Sequence, residues 1–345
     1  MLPFFGGAAF YEGETNMNIQ PLIEIIHETV ESHKLSTGIY ARYLWQDEKG
    51  SRKMGVNEYG CADAANILYS IGHFPRDPEE RKCWVKALQE MQNPQTGLFH
   101  EETHHPIHTT AHCIAALELF DALPLYPIRE LLPYLDAEKL YPFLENLDWD
   151  HSPWNNSHQG AGLYAAMVNS RSSNPAWEKC YFSWLREHCD PETGMGLKDR
   201  RGDALLCHQL YGWFHYLFNH EYAHQPIPHA EKLIDTCIDL YKNDQLTARF
   251  AREVSFMEID WIFAMNRASR QTPHRFHEIK ELLWDHAQKL LDYVNGLDKK
   301  THDQFNDLHS LFGFVCALSE LQQALPGKLE TDIPLKNVLD RRPFI

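Results

Sequence analysis

A histidine and a tyrosine three residues apart on one helix lie side by side, where they can serve one substrate as base and acid. His208 and Tyr211 are such a pair, and His215, Asn219 and Tyr222 extend the same helical face. Two more stretches concentrate ionisable groups. One is His100-Glu101-Glu102-Thr103-His104-His105-Pro106-Ile107-His108, with His112 one turn further on. The other is Asp150-His151-Ser152-Pro153-Trp154-Asn155-Asn156-Ser157-His158. Arg201, within Lys198–Asp203, and Arg252 supply planar guanidinium groups suited to a carboxylate. His105, His108 and His112 share a helical face, and His108 and His112 have the spacing of a two-histidine metal grip. No Glu follows His108 as it does in the zinc-protease signature. The expectation is therefore a histidine-lined substrate pocket, with no metal and no cofactor assigned.

These residues need elements that aim them at one place. Six times along the chain an amphipathic helix is followed by a loop and then by a helix rich in small and apolar residues. The first helices are predicted to begin near Pro21, Pro78, Asp136, Pro175, Pro228 and His277, and the second near Glu58, His108, His158, Asp203, Arg252 and Asn306. The first set carries a clean 3.6-residue period, as in Leu22, Ile25, Ile26 and Val30. The second set, as in Gly160-Ala161-Gly162-Leu163-Tyr164-Ala165-Ala166, is nearly apolar all round, which suits burial on every side. Gly160 and Gly162 imitate a dinucleotide fingerprint, but no strand precedes them, so they are read as packing positions. Hairpins of about 50 residues cannot bury a face alone and must stack. The predicted fold class is all-α, an (α/α)6 toroid spanning residues 19–345 behind an N-terminal extension of 1–18. The longer links join first to second helices. They and the second-helix N-termini are predicted to share one mouth, where converging helix dipoles favour an anionic group.

Composition narrows the partners. The formal charge of -16 opposes binding to nucleic acid or an anionic membrane. No apolar run reaches the roughly 18 residues of a membrane helix. Eight scattered cysteines without a Cys-x-x-Cys pair are read as reduced and structural, pointing to a cytoplasmic protein. The tail Leu339–Ile345 is expected to dock on the ring, seal it or contact a neighbour, which leaves a homo-oligomer open.

The six-hairpin pattern resembles the toroids of carbohydrate-active enzymes, both polysaccharide lyases and glycosidases, and also that of terpenoid cyclases and prenyltransferases. Gln92-Asn93-Pro94-Gln95-Thr96-Gly97-Leu98-Phe99 is loosely similar to a repeat of the latter group, whose Asp-x-Asp-Asp signature is missing here. Trp154-Asn155-Asn156-Ser157-His158 resembles the Asn-Asn-His segment of alginate-type lyases, with Ser157 inserted. That resemblance implies Asn156 as the group neutralising a uronate carboxylate, His158 or His208 as base, and Tyr211 as acid. Arg201, Arg252, His105, His108, His215, Asn155 and Trp154 would bind the substrate. The expected function is cleavage of an acidic oligosaccharide by β-elimination. The alternative is a glycoside hydrolase with a carboxylate pair drawn from Glu102, Asp150, Asp199, Asp203 and Glu253. A sugar-binding toroid without activity and a terpenoid-cyclase-like enzyme are the remaining readings.

Overall fold

The computed structural model describes residues 16–198 and 202–345. Of the expected N-terminal extension, residues 1–15 lie outside this range. The described chain is all-α, with twelve helices and only short two- and three-residue strands. Six helices, α1 (Gln20–Ser32), α3 (Pro78–Glu90), α5 (Ala137–Glu145), α7 (Pro175–His188), α9 (Ala230–Lys242) and α11 (Phe276–Asn295), alternate with six others. These are α2 (Glu58–Ser70), α4 (Pro106–Leu119), α6 (Pro153–Asn169), α8 (Leu206–Tyr222), α10 (Met257–Ala268) and α12 (Leu308–Ala324).

Local chemistry sets the helix starts. Asn57, Asp77, Asn174 and Asp307 accept backbone N–H groups at the starts of α2, α3, α7 and α12, and Pro78 and Pro175 occupy the first turns they open. The odd-numbered helices bury one stripe, such as Leu22, Ile23, Ile26 and Val30 in α1. The even-numbered helices are buried nearly all round. Each even-numbered helix packs on the next, from α2 through α4, α6, α8 and α10 to α12, and α12 packs back on α2. Small residues permit this closeness. A Cβ at Gly160 would run into the Tyr216 hydroxyl, and one at Gly313 would lie 2.8 Å from the Phe256 ring.

The first and last helical pairs are tied together at several points. Met17–Asn18 runs parallel to Leu329–Glu330, with Met17 N–H donating to Lys328 O at 2.8 Å. Leu308 N–H donates to Arg42 O at 3.1 Å, and Asn306 Oδ1 accepts from the Leu44 and Trp45 amides. The Arg42 guanidinium grips Asp307 through two parallel hydrogen bonds of 2.8 and 3.0 Å.

The Gln92–Phe99 stretch is a structural turn. Asn93 Oδ1 accepts from Gln95 and Thr96, and Gly97 has φ +78° with its α-carbon pressed against Pro127. Asp190–Gly194 builds the same turn, with Gly194 at φ +74°. The C-terminal tail docks inside. Phe344 is fully buried, its ring 4.9 Å from His108 and 5.7 Å from Phe218. The buried Arg342 guanidinium donates to Ala115 O, Phe344 O and Asn66 Oδ1. Phe344→Ala should empty that volume and cost about 3–5 kcal/mol, read as a lower urea midpoint at unchanged m-value.

Candidate functional site

The side chains that meet at the centre come from the first three turns of even-numbered helices and from the loops that lead into α2 and α4. Asn57 begins the site. Its side chain caps α2 and donates to Glu101 Oε1 at 3.4 Å. That cap places Tyr59 in the first turn and Asp63 one turn deeper, both fully buried. On α4, the Tyr59 hydroxyl bonds His108 Nδ1, and the Tyr59 ring stacks on His104 at 4.6 Å and on His112 at 4.9 Å. From there a run of imidazoles crosses three helices: His104 to His108 at 4.7 Å, His108 to His158 at 4.5 Å, and His158 to His215 at 4.5 Å between ring centroids. His309 of α12 meets Tyr59 edge-on at 4.5 Å. His104 and His158 are partly exposed, so they are the members of the run that face solvent most.

Asp63 is the anchor. Its carboxylate lies 2.7 Å from His112 Nε2 and 3.2–3.3 Å from His309 Nδ1. Burial alone would push its pKa up, but the two imidazoles outweigh burial and hold it well below the usual carboxylate range. An ionised carboxylate only accepts, so His112 Nε2 and His309 Nδ1 carry the protons. Beside it, burial pushes Glu101 up, but hydrogen bonds from His104 and Thr103, with Arg42 nearby, bring it down to about 2. Burial pushes His108 and His158 well below 6.5, helped by neighbouring imidazoles, and His215 to about 4. The run is therefore a set of rings that burial keeps neutral.

The structure places the sequence-derived candidates unevenly. His158, His108 and His215 belong to the run, and Ser157, the inserted residue, sits 3.1 Å from His215 Nδ1. His208 lies at the edge, its ring 6.4 Å from Tyr211. The Tyr211 ring is fully buried beneath Trp154 at 5.5 Å, and its hydroxyl accepts from Thr247 N–H at 3.4 Å. Burial pushes its phenol up. Asn156 Nδ2 donates to Ser152 O at 2.9 Å and Asn155 Nδ2 to Ser152 Oγ at 3.0 Å, both local to the start of α6. His105 is exposed at the N-cap of α4, where its Nδ1 accepts from Ile107 N–H. Arg252 is exposed in a separate groove with Tyr241, Lys289 and Tyr293. Arg201 lies outside the described residues. His108 and His112 do not converge on one point: the first turns to Tyr59, the second to Asp63.

Sequence reasoning missed Asp63 as a site residue, although a lone carboxylate inside Cys61-Ala62-Asp63-Ala64-Ala65 was the available signal. It also missed Arg42, whose role depends on contacts across the closing seam. Asp260 is a further buried acid. Among the described residues both its oxygens lack a hydrogen-bond partner, and burial, reinforced by Glu258, pushes it well above the usual carboxylate range. No protein-family model, curated protein or solved structure matches this chain.

Acid should destabilise the fold through its buried imidazoles. Burial lowers His33, His215 and His220 each from 6.5 to about 4. Between those values the unfolded chain binds the extra protons, so stability is full above pH 6.5 and is lost as pH falls toward 4. Each group contributes on the order of 1–3 kcal/mol. Thermal midpoints measured from pH 7 to pH 4 should fall steadily. A flat profile would mean that these rings are already charged in the folded state.

Proposed function

We propose that the helical hairpins form an (α/α)6 toroid and that the protein is a carbohydrate-active enzyme, cleaving an acidic, uronate-containing oligosaccharide by β-elimination. The closed order of packing among the even-numbered helices supports the toroid. The observation that carries the reaction is His158, a partly exposed imidazole between His108 and His215 that burial keeps neutral. A neutral, solvent-reaching imidazole is what a base needs at neutral pH. In this scheme His158 takes the proton from C5 of the uronate. The C4–oxygen bond breaks as the C4–C5 double bond forms, and the leaving oxygen receives a proton from Tyr211. The Thr247 amide donates to the Tyr211 oxygen, which leaves the phenolic proton free to be given. The N-terminal ends of the surrounding helices present partial positive charge to the enolate that develops on the carboxylate, and Asn156 stands on that rim. His208 is the alternative base under the same scheme, while Arg252 keeps to its separate groove.

A second reading, hydrolysis, is favoured by one observation. Asp260 is a buried carboxyl that stays protonated, as a general acid must.

Incubation with a panel of uronate oligosaccharides tests both. Elimination gives one ultraviolet-absorbing unsaturated product per new reducing end, and His158→Asn and Tyr211→Phe should each lower kcat by roughly 10²–10⁴ while circular dichroism stays native. New reducing ends without absorbance, lost in Asp260→Asn, would replace elimination by hydrolysis. No cleavage of any uronate substrate would remove both.

A further inference from the structure

Asp63, His112 and His309 stand on three neighbouring helices, α2, α4 and α12, and the seam between α2 and α12 is where the first and last hairpins meet. One ligand atom from each of the three lies within 4.8 Å of the other two. The closest approaches to the carboxylate are 2.7 Å for His112 Nε2 and 3.2 Å for His309 Nδ1. Donor atoms around a four-coordinate ion with bonds of about 2.0–2.1 Å are roughly 3.3 Å apart, so small rotations of these side chains bring all three into range. Two imidazoles and one carboxylate select a divalent first-row transition ion over calcium or magnesium, which prefer oxygen ligands.

Charge points the same way. Around this spot three carboxylates, Asp63, Glu101 and Asp307, are answered by one guanidinium, Arg42, which spends itself on Asp307 and Glu101. Among the described residues Asp63 itself faces only the two imidazoles. A fully buried carboxylate with no cationic partner is costly to keep ionised. Among the described residues the Nδ1 of His112 is buried without a hydrogen-bond partner, so only the contact made by its Nε2 fixes the ring.

We infer that Asp63, His112 and His309 form a binding site for one divalent transition-metal ion, which clasps α12 to α2 and α4 and so closes the ring. Tyr59 covers the site, stacked on His112 and edge-on to His309, and the triad itself is buried, as suits a clasp. The same carboxylate serves in either state, because without the ion it accepts the two imidazole N–H groups, and with the ion those nitrogens turn their lone pairs to the metal.

The test uses the full chain, stripped with a chelator and then titrated with Zn²⁺ alone. About one equivalent should bind, the thermal midpoint should rise by several degrees, and Mg²⁺ at the same concentration should leave it unchanged. His112→Gln and His309→Gln should each weaken Zn²⁺ binding at least about tenfold while circular dichroism remains helical. Should those variants unfold, Co²⁺ added to the wild-type chain decides, since a four-coordinate nitrogen–oxygen site gives intense visible absorption. Absence of Zn²⁺ binding, full affinity in folded variants, or a weak six-coordinate Co²⁺ spectrum would each overturn the assignment and leave the triad a hydrogen-bonded clasp. None of these readings depends on turnover, so the site stands or falls separately from the elimination reaction.

Discussion

One carboxylate holds the centre of this molecule in place. Asp63 is wholly buried, and its oxygens are shared between His112 of the next helix in the circuit and His309 of the last. Burying an unsatisfied charge costs several kcal/mol, so the three helices can approach only in the arrangement that brings both imidazoles to it. The surrounding contacts depend on that arrangement. Tyr59 is sandwiched between His104 and His112, its hydroxyl reaches His108, and the imidazole run continues to His158 and His215. The pairing of Arg42 with Asp307 repeats the closure one layer nearer the helix ends.

Closing the chain on itself also explains where its ends go. Met17 and Asn18 pair with Leu329 and Glu330, so the entrance to α1 is held by the exit from α12. The last residues then turn inward, and Phe344 fills the space beneath His108 while Arg342 satisfies carbonyls of the surrounding backbone. The imidazole run therefore lies on a packed apolar floor. Burial against that floor helps keep the rings neutral. His104 and His158 are the members of the run that keep partial exposure.

Much of this architecture could be read from the residues. Periodicity and capping signals located the helices: α3 and α7 begin at Pro78 and Pro175, and α2 at Glu58, as the sequence predicts, while α6 and α10 begin at Pro153 and Met257 where His158 and Arg252 are predicted. Small-residue runs marked α2, α6 and α12 as buried, whereas α8 and α10 are buried as fully on large side chains. The site was legible only in part. His158, His108 and His215 stood out by type and spacing, but pairing across the chain has no local signature. Nothing near Asp63 in the sequence points to His309, which is 246 residues away. Arg42 likewise finds Asp307 only once the ring has closed. Asn155 and Asn156 stood out by their motif, and in the structure both amides donate to Ser152 at the start of their own helix.

The dependence of the fold on the central carboxylate is most directly measured by a double-mutant cycle between Asp63 and His309 in chelator-treated protein. Urea unfolding of Asp63→Asn, His309→Gln and the double variant gives their coupling energy. If the two groups hold the seam together, the coupling should be about 1–3 kcal/mol. Additive losses, agreeing within about 0.5 kcal/mol, would contradict a ring closed through Asp63.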